Sequence, residues 1–161
     1  MTDIVDKKTR SRMMAGIKGK DTQPELVIRK ALFAKGFRYR LHSTKIPGTP
    51  DIIFSRFRAL IFINGCFWHG HDCHLFKWPS SNITFWESKI RRNQEKDKKN
   101  YEILKKNSWR ILVVWECALK GRKKIDLVSL IEWVQDWLLH SNKSCEISGK
   151  GGLGQYYDHK K

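Results

Sequence analysis

Two short, wholly apolar runs, Ala59-Leu60-Ile61-Phe62-Ile63 and Ile111-Leu112-Val113-Val114-Trp115, constrain this chain more than anything else in it. Five residues are far too few to cross a bilayer, and an uninterrupted apolar run of that length suits a strand covered on both faces. The flanking segments offer the helices that would cover such strands. Thr22-Gln23-Pro24-Glu25 reads as a helix start, with Thr22 as N-cap, Pro24 in the first turn and Glu25 at the capping-box position. That helix runs to Gly36, with Val27, Ile28, Ala31 and Leu32 on one side. From Phe37 the period becomes two, with Phe37, Tyr39 and Leu41 alternating against Arg38, Arg40 and His42, which predicts a half-buried strand. Pro47-Gly48-Thr49-Pro50 is a turn, and Asp51-Ile52-Ile53-Phe54 a strand leading into the first apolar run. Thr84-Phe85-Trp86-Glu87 repeats the capping-box pattern and opens a charged helix to about Asn107, with Ile90, Tyr101 and Leu104 facing inward. A fourth strand covers residues 109–115. Asp126 then caps a last helix whose stripe is Leu127, Leu130, Ile131, Val134, Trp137 and Leu138. The expected order is helix, three strands, helix, strand, helix: an α/β chain with a mixed central sheet flanked by helices.

Charge narrows the partners. The chain has 161 residues, one domain's worth, and a net charge of +16, while 40% hydrophobic residues with 7 Trp and 8 Phe exclude a disordered basic tail. A domain this basic calls for a polyanion, with nucleic acid foremost and no membrane partner. The charged N-terminus has no apolar stretch of the kind a secretory leader needs, so the expected location is cytoplasmic. Residues 1–21 carry Lys7, Lys8, Arg10, Arg12, Lys18 and Lys20 against Asp3, Asp6 and Asp21, and read as a DNA-binding arm, partly helical over 10–17. The globular domain is expected over 22–140. Residues 141–161, with four Gly and little periodicity, read as a mobile tail in which Cys145 is a free thiol.

Between the strand ending at Ile63 and the charged helix lies a loop that no packing argument requires. Within it Cys66-Phe67-Trp68-His69-Gly70-His71-Asp72-Cys73-His74 crowds two thiols and three imidazoles together. Mixed thiolate and imidazole donors suit a structural tetrahedral zinc site, and Cys117, just beyond the fourth strand, is placed to complete it. The expected ligand set is Cys66, His71, Cys73 and Cys117. Ordinary buried thiols beside surface histidines are the alternative, which so dense a mixed cluster disfavours. His69 and His71 are two apart and point to opposite sides of an extended segment, so one can hold metal while the other faces a substrate.

Asp51 opens a strand just after Pro50. A carboxylate at a strand edge can hold a magnesium ion against a phosphate, and it can equally be a turn Asp bonded to its neighbours. Glu25 is a second carboxylate, accounted for by the capping box and open to catalysis as well.

These residues carry a resemblance. Asp6-Lys7-Lys8-Thr9-Arg10-Ser11, Pro47-Gly48-Thr49-Pro50-Asp51, residues 62–71, Phe85-Trp86-Glu87-Ser88-Lys89-Ile90 and Val114-Trp115-Glu116-Cys117-Ala118-Leu119 resemble, in order and spacing, the very short patch repair (Vsr) family of mismatch-specific DNA nicking endonucleases. Residues after about 140 lie outside it. The resemblance implies a restriction-endonuclease-like fold and cutting of the T strand on the 5′ side of a T:G mismatch left by deaminated 5-methylcytosine, followed by repair synthesis. It implies Asp51 as the magnesium-binding carboxylate, helped by the backbone carbonyl of Ile63, with His69 activating water and Glu25 as an auxiliary member. The structural zinc ligands correspond to Cys66, His71, Cys73 and Cys117. Phe67, Trp68 and Trp86 match aromatics that wedge into the base stack, and Met14 matches an arm residue that inserts from the other groove. Lys89, Asn93 and Asp97 recur at i, i+4 and i+8, and share a helix face that could read base edges or phosphates. Ile63, where related nucleases often have a second acidic residue, cannot bind metal through its side chain, though its backbone carbonyl can, and Asn64 stands where other members of the family can carry a His or Asp.

The implied partners are duplex DNA with a T:G mismatch and, as a candidate, a MutL-type mismatch-repair protein. A bacterial, nucleoid-associated location goes with them. An asymmetric target cut on one strand calls for a monomer. Two other readings stand beside this one: a nuclease of the same fold with different DNA specificity, and a non-catalytic zinc-stabilised DNA-binding module.

Overall fold

The computed structural model describes residues 6–15, 21–149 and 152–153. In chain order its elements are α1 (Lys7–Ala15), α2 (Gln23–Ala34), β1 (Arg40–Leu41), β2 (Ile52–Phe54), β3 (Ala59–Asn64), α3 (Ile83–Lys106), β4 (Arg110–Trp115), α4 (Leu127–His140), β5 (Cys145–Ser148) and β6 (Gly152–Leu153). Single 3-10 turns follow β2 and β4, at Ser55–Phe57 and Glu116–Ala118. The strands form one sheet in the order β1-β2-β3-β4-β5-β6, with β3-β4 and β4-β5 parallel and the other pairs antiparallel. Among the described residues no helix is long and apolar enough to cross a membrane.

The two apolar runs are the central strands. They pair from Ala59 opposite Arg110 to Asn64 opposite Trp115, and α3 makes the crossover that parallel neighbours require. Strand pleating sends alternate residues to opposite faces. Ile52, Phe54, Ala59, Ile61, Leu112, Val114 and Ile147 pack on one side against α2 and α4 through Ile28, Leu32, Leu130, Val134 and Trp137. Ile53, Leu60, Phe62, Ile111 and Val113 pack on the other against Leu104 and the half-buried Tyr101 of α3. This is the expected mixed sheet between helices. Each fully buried Ile or Leu contributes about 1.5–3 kcal/mol. Arg110 joins the layers, donating to the carbonyls of Phe57 (3.0 Å), Trp137 (2.9 Å) and Leu138 (3.1 Å).

Four expectations are corrected. The strand over 37–42 shrinks to Arg40–Leu41, because its partner β2 has only three residues before the Ser55–Phe57 turn. Phe37 and Tyr39 still turn inward, with ring centroids 6.1 and 5.9 Å from Phe54. The segment from Ser141 is not wholly a tail. Cys145–Ser148 adds to the open edge of β4 with Cys145 and Ile147 buried, so Cys145 is a free thiol inside the sheet. The capping box at Thr84 is absent: α3 starts at Ile83, after Asn82 in the left-handed conformation and without a side-chain cap bond. The arm helix begins at Lys7 rather than Arg10, because Asp6 Oδ1 accepts the Thr9 amide at 2.6 Å. Residues 16–17 of the expected arm helix, the side chain of Met14, and Asp3 lie outside the described residues.

Candidate active site and metal centre

At the Asp51 end of the β2–β3 pair, beside the start of α2, a cleft of about 580 Å³ opens, lined by Glu25, Asp51, Ile63, Asn64, Trp68, His69, Lys89 and Asp97 among others. Asp51 is fixed by the hairpin: its amide donates to the Ile61 carbonyl (3.0 Å), and its Oδ2 accepts from the Ile63 amide (2.7 Å). Burial is the chief cause that raises its carboxyl to a pKa of about 7. The Ile63 amide and Arg29 oppose that rise, while neighbouring Glu25 adds to it. A buried and a half-buried carboxylate side by side in a chain of net charge +16 form an arrangement that could hold a cation.

The capping box expected at Thr22 and Glu25 is not formed. The Thr22 carbonyl accepts from the Leu26 amide (3.0 Å), but its side chain makes no cap bond; its hydroxyl donates to Glu25 Oε1 (3.2 Å), and Glu25 Oε2 accepts from the Asp21 amide (3.0 Å). Glu25 is almost wholly buried.

His69 enters the cleft from the loop after β3, and its Nδ1 is hydrogen-bonded to Asp97 Oδ2 on α3. The loop lies tightly on that helix. Gln94 Nε2 donates to the His69 carbonyl (3.1 Å) and Asn93 Nδ2 to that of Trp68 (2.8 Å). Gly70 is required in between, at φ 59°, where a Cβ would stand 2.6 Å from Gln94 and 2.7 Å from Ile90. The face of α3 carrying Lys89, Asn93 and Asp97 therefore exists, but Asn93 and Asp97 are turned onto the loop that carries His69. Asn64, at the end of β3, donates to the Tyr101 hydroxyl (3.3 Å).

The ligand atoms of Cys66, His71, Cys73 and Cys117 all lie within 4.8 Å of one another. The 3-10 turn after β4 carries Cys117 to the loop. Sulfur acceptors are already served by backbone donors, Cys117 N to Cys66 Sγ and Gly149 N to Cys117 Sγ, both at 3.3 Å. Burial pushes the Cys66 and Cys117 thiols above their ordinary value, a cost that a divalent cation among them would reverse. Three buried thiols around an imidazole nitrogen, with amides directed at the sulfurs, fit a tetrahedral ion. Trp115 parts the two histidines: His71 stacks on it, with centroids 4.1 Å apart and planes at 7°, while His69 meets its edge.

Beside the cleft, Phe67, Trp68 and Trp86 are half-buried and in mutual edge contact, at centroid distances of 5.2–5.9 Å. The Lys89 ammonium lies 5.2 Å from the Trp68 ring and 5.6 Å from that of Trp86.

Comparison with known proteins decides the family. A protein of Escherichia coli (strain K12) named DNA mismatch endonuclease Vsr is 39% identical over 94% of this chain and 97% of its own length. The chain belongs to the Vsr family. The family described as DNA mismatch endonuclease Vsr matches residues 2–75, which include Glu25, Asp51 and His69. Two further Vsr-like relatives are named type II nicking enzymes. V.NmeAIP of Neisseria meningitidis serogroup A is 46% identical over 76% of this chain and 87% of its own, and V.XorIIP of Xanthomonas oryzae is 40% identical over 74% and 88%.

Within this Vsr chain, several residues in and around the cleft escaped the sequence reading in the part they play. Asp97 was legible only as one of three residues on a helix face, and not as the partner of His69. Glu116, whose Oε2 accepts from the Cys66 amide (3.1 Å), carried no signal beyond standing next to Cys117. Arg29 and His42, gathered around Glu25, had none.

Proposed function

We propose that the protein is a magnesium-dependent nicking endonuclease that cuts the T strand of duplex DNA 5′ of a T:G mismatch and starts very short patch repair of deaminated 5-methylcytosine. The observation that carries this reading is the convergence of Asp51 and the Asp97-bonded His69 on one cleft beside an aromatic cluster. The sheet order, with helices on both faces, supports a restriction-endonuclease-like domain.

Asp51 and the backbone carbonyl of Ile63 would hold the magnesium ion, and such an ion supplies charge stabilisation at the scissile phosphate. With Nδ1–H donated to Asp97, His69 would keep Nε2 as its basic nitrogen for the cleft. There it would take the proton of the attacking water as that oxygen forms its bond to phosphorus and the bond from phosphorus to the leaving sugar oxygen breaks, that oxygen taking a proton from bulk water. The carboxylate also orients the imidazole and stabilises its protonated form. Glu25 stands behind Asp51 as the auxiliary member. Asn64, bonded to Tyr101, takes no part in proton transfer in this scheme.

Cys66, His71, Cys73 and Cys117 would hold a structural zinc ion, which would pin the loop that carries His69, Phe67 and Trp68. Phe67, Trp68 and Trp86 wedge beside the mismatch, which is easier to unstack than a paired step, while Met14 of the arm inserts from the other groove. Lys89 neutralises a phosphate nearby, and Asn93 and Asp97 serve the site by holding its loop. The arm, residues 1–21, adds phosphate contacts. The protein acts as a monomer in the bacterial cytoplasm at the nucleoid, with a MutL-type protein as a candidate partner.

A second reading, the same chemistry at a different DNA target, is favoured by the relatives named type II nicking enzymes. A nicking assay with magnesium separates the two. Three end-labelled duplexes carry T:G within CT(A/T)GG, the fully paired sequence, and T:G in an unrelated context. Cutting of the T strand in the first alone is expected. Equal cutting of all three would favour the second reading, and binding without cutting would leave a DNA-binding module.

A further inference from the structure

The residue that joins the basic N-terminal segment to α2 is also bonded to the carboxylate behind Asp51. Asp21 sits in the left-handed conformation at φ 55°. Its amide donates to Glu25 Oε2 at 3.0 Å, and its Oδ1 accepts from Arg29 Nη2 at 2.7 Å. Arg29, one turn after Glu25 on α2, also lies 3.5 Å from Glu25 Oε2, and its side chain is only 8% exposed. His42 Nε2 completes the group, 3.4 Å from Asp21 and 3.5 Å from Glu25.

Asp21, Glu25 and His42 could by geometry alone surround a cation. The cation is already there, as the Arg29 guanidinium. A buried guanidinium is costly unless paired, and Arg29 Nε has no hydrogen-bond partner, so the charge depends on Asp21 and Glu25. Glu25 in turn has both oxygens engaged, Oε1 by Thr22 and Oε2 by Asp21, with Arg29 and His42 close by. Its position against Asp51 is thus set by a network that ends at Asp21, just before α2. An unanchored Glu25 would be free to turn toward or away from Asp51 in the cleft.

From this geometry we infer that Arg29 and Asp21 form a latch: positioning residues that hold Glu25 behind Asp51. The inference rests on the proposed catalytic role of Asp51. Neither residue lines the cleft, so their effect belongs in turnover rather than affinity.

The test uses the full chain and the T:G duplex, with D21N, R29Q, R29K and the double variant D21N/R29Q. Asp21 is half exposed, so D21N breaks the latch without opening a cavity. Each of D21N and R29Q is expected to lower kcat about ten- to a hundredfold, the scale of one charge-assisted hydrogen bond, with KM within twofold of wild type. R29K, which keeps the charge, recovers part of kcat, and the double variant is no worse than the worse single one because both break the same contact. Hydrogen exchange of the amides over residues 21–26 is read alongside, without DNA, and is expected to quicken in D21N and R29Q alike. An unchanged kcat in D21N, or losses that multiply in the double variant, would overturn the latch. Wild-type protein that nicks nothing would overturn the proposed function instead, and the exchange data would still decide whether Asp21 and Arg29 hold the segment.

Discussion

At Asp51 one side chain is pulled in two directions, and the balance is measurable. Burial raises its carboxyl to about 7 from an ordinary 3.8, and the Ile63 amide does not offset it. The folded protein therefore keeps a proton there that the unfolded chain releases above pH 4. Stability from this group is fully present below about pH 4 and is lost as pH rises toward 7. In magnesium-free buffer, urea midpoints of wild type should fall relative to those of D51N as pH goes from 4 to 7, with the gap constant above that. Parallel midpoints across this range would contradict the burial of the charge. The same variant should bind the T:G duplex and fail to cut it. Asp51 could be singled out in the sequence as an acid opening a strand, yet its altered affinity for protons comes from desolvation, which only packing creates. Asp97 makes the same point: nothing in the spacing of α3 shows that the residue 28 positions earlier is its partner.

Elements were legible wherever their hydrophobic period is local. The runs of β3 and β4, the stripe of α4 and its Asp126 cap, which accepts from the Ser129 amide at 2.9 Å, all follow from short-range pattern. β5 was missed because four residues among glycines carry too little alternation, and its stability comes from the open edge of β4. The loop after β3 is an element of the same dependent kind, with few apolar residues of its own inside the core. It is held by the Cys66, His71, Cys73 and Cys117 cluster and by α3. Cys117→Ala should lower the bound zinc per protein from one toward zero by elemental analysis and lower Tm, since the metal's binding energy contributes to folding. Undiminished zinc in that variant would remove Cys117 from the ligand set.

For the molecule as a whole, the dominant property is a charge of +16 on one domain. If the arm and α3 neutralise phosphates, the logarithm of the association constant should fall linearly with the logarithm of salt, at about 0.9 per phosphate contacted. Fluorescence anisotropy from 50 to 200 mM salt checks this, and a flat response would place the basic surface elsewhere than on DNA. Composition, the central strands, the amphipathic helices and the metal-ligand loop were determined by the sequence itself, because charge and hydrophobic period act between residues close along the chain. Which distant residues meet was decided by the tertiary structure: Cys117 with Cys66 across 51 positions, Asp97 with His69, β5 with β4, and Asp51 with Glu25 under the hold of Arg29. The physical reason is that these pairings, and the desolvation that gives their charges chemical force, exist only once the sheet and helices have closed around them.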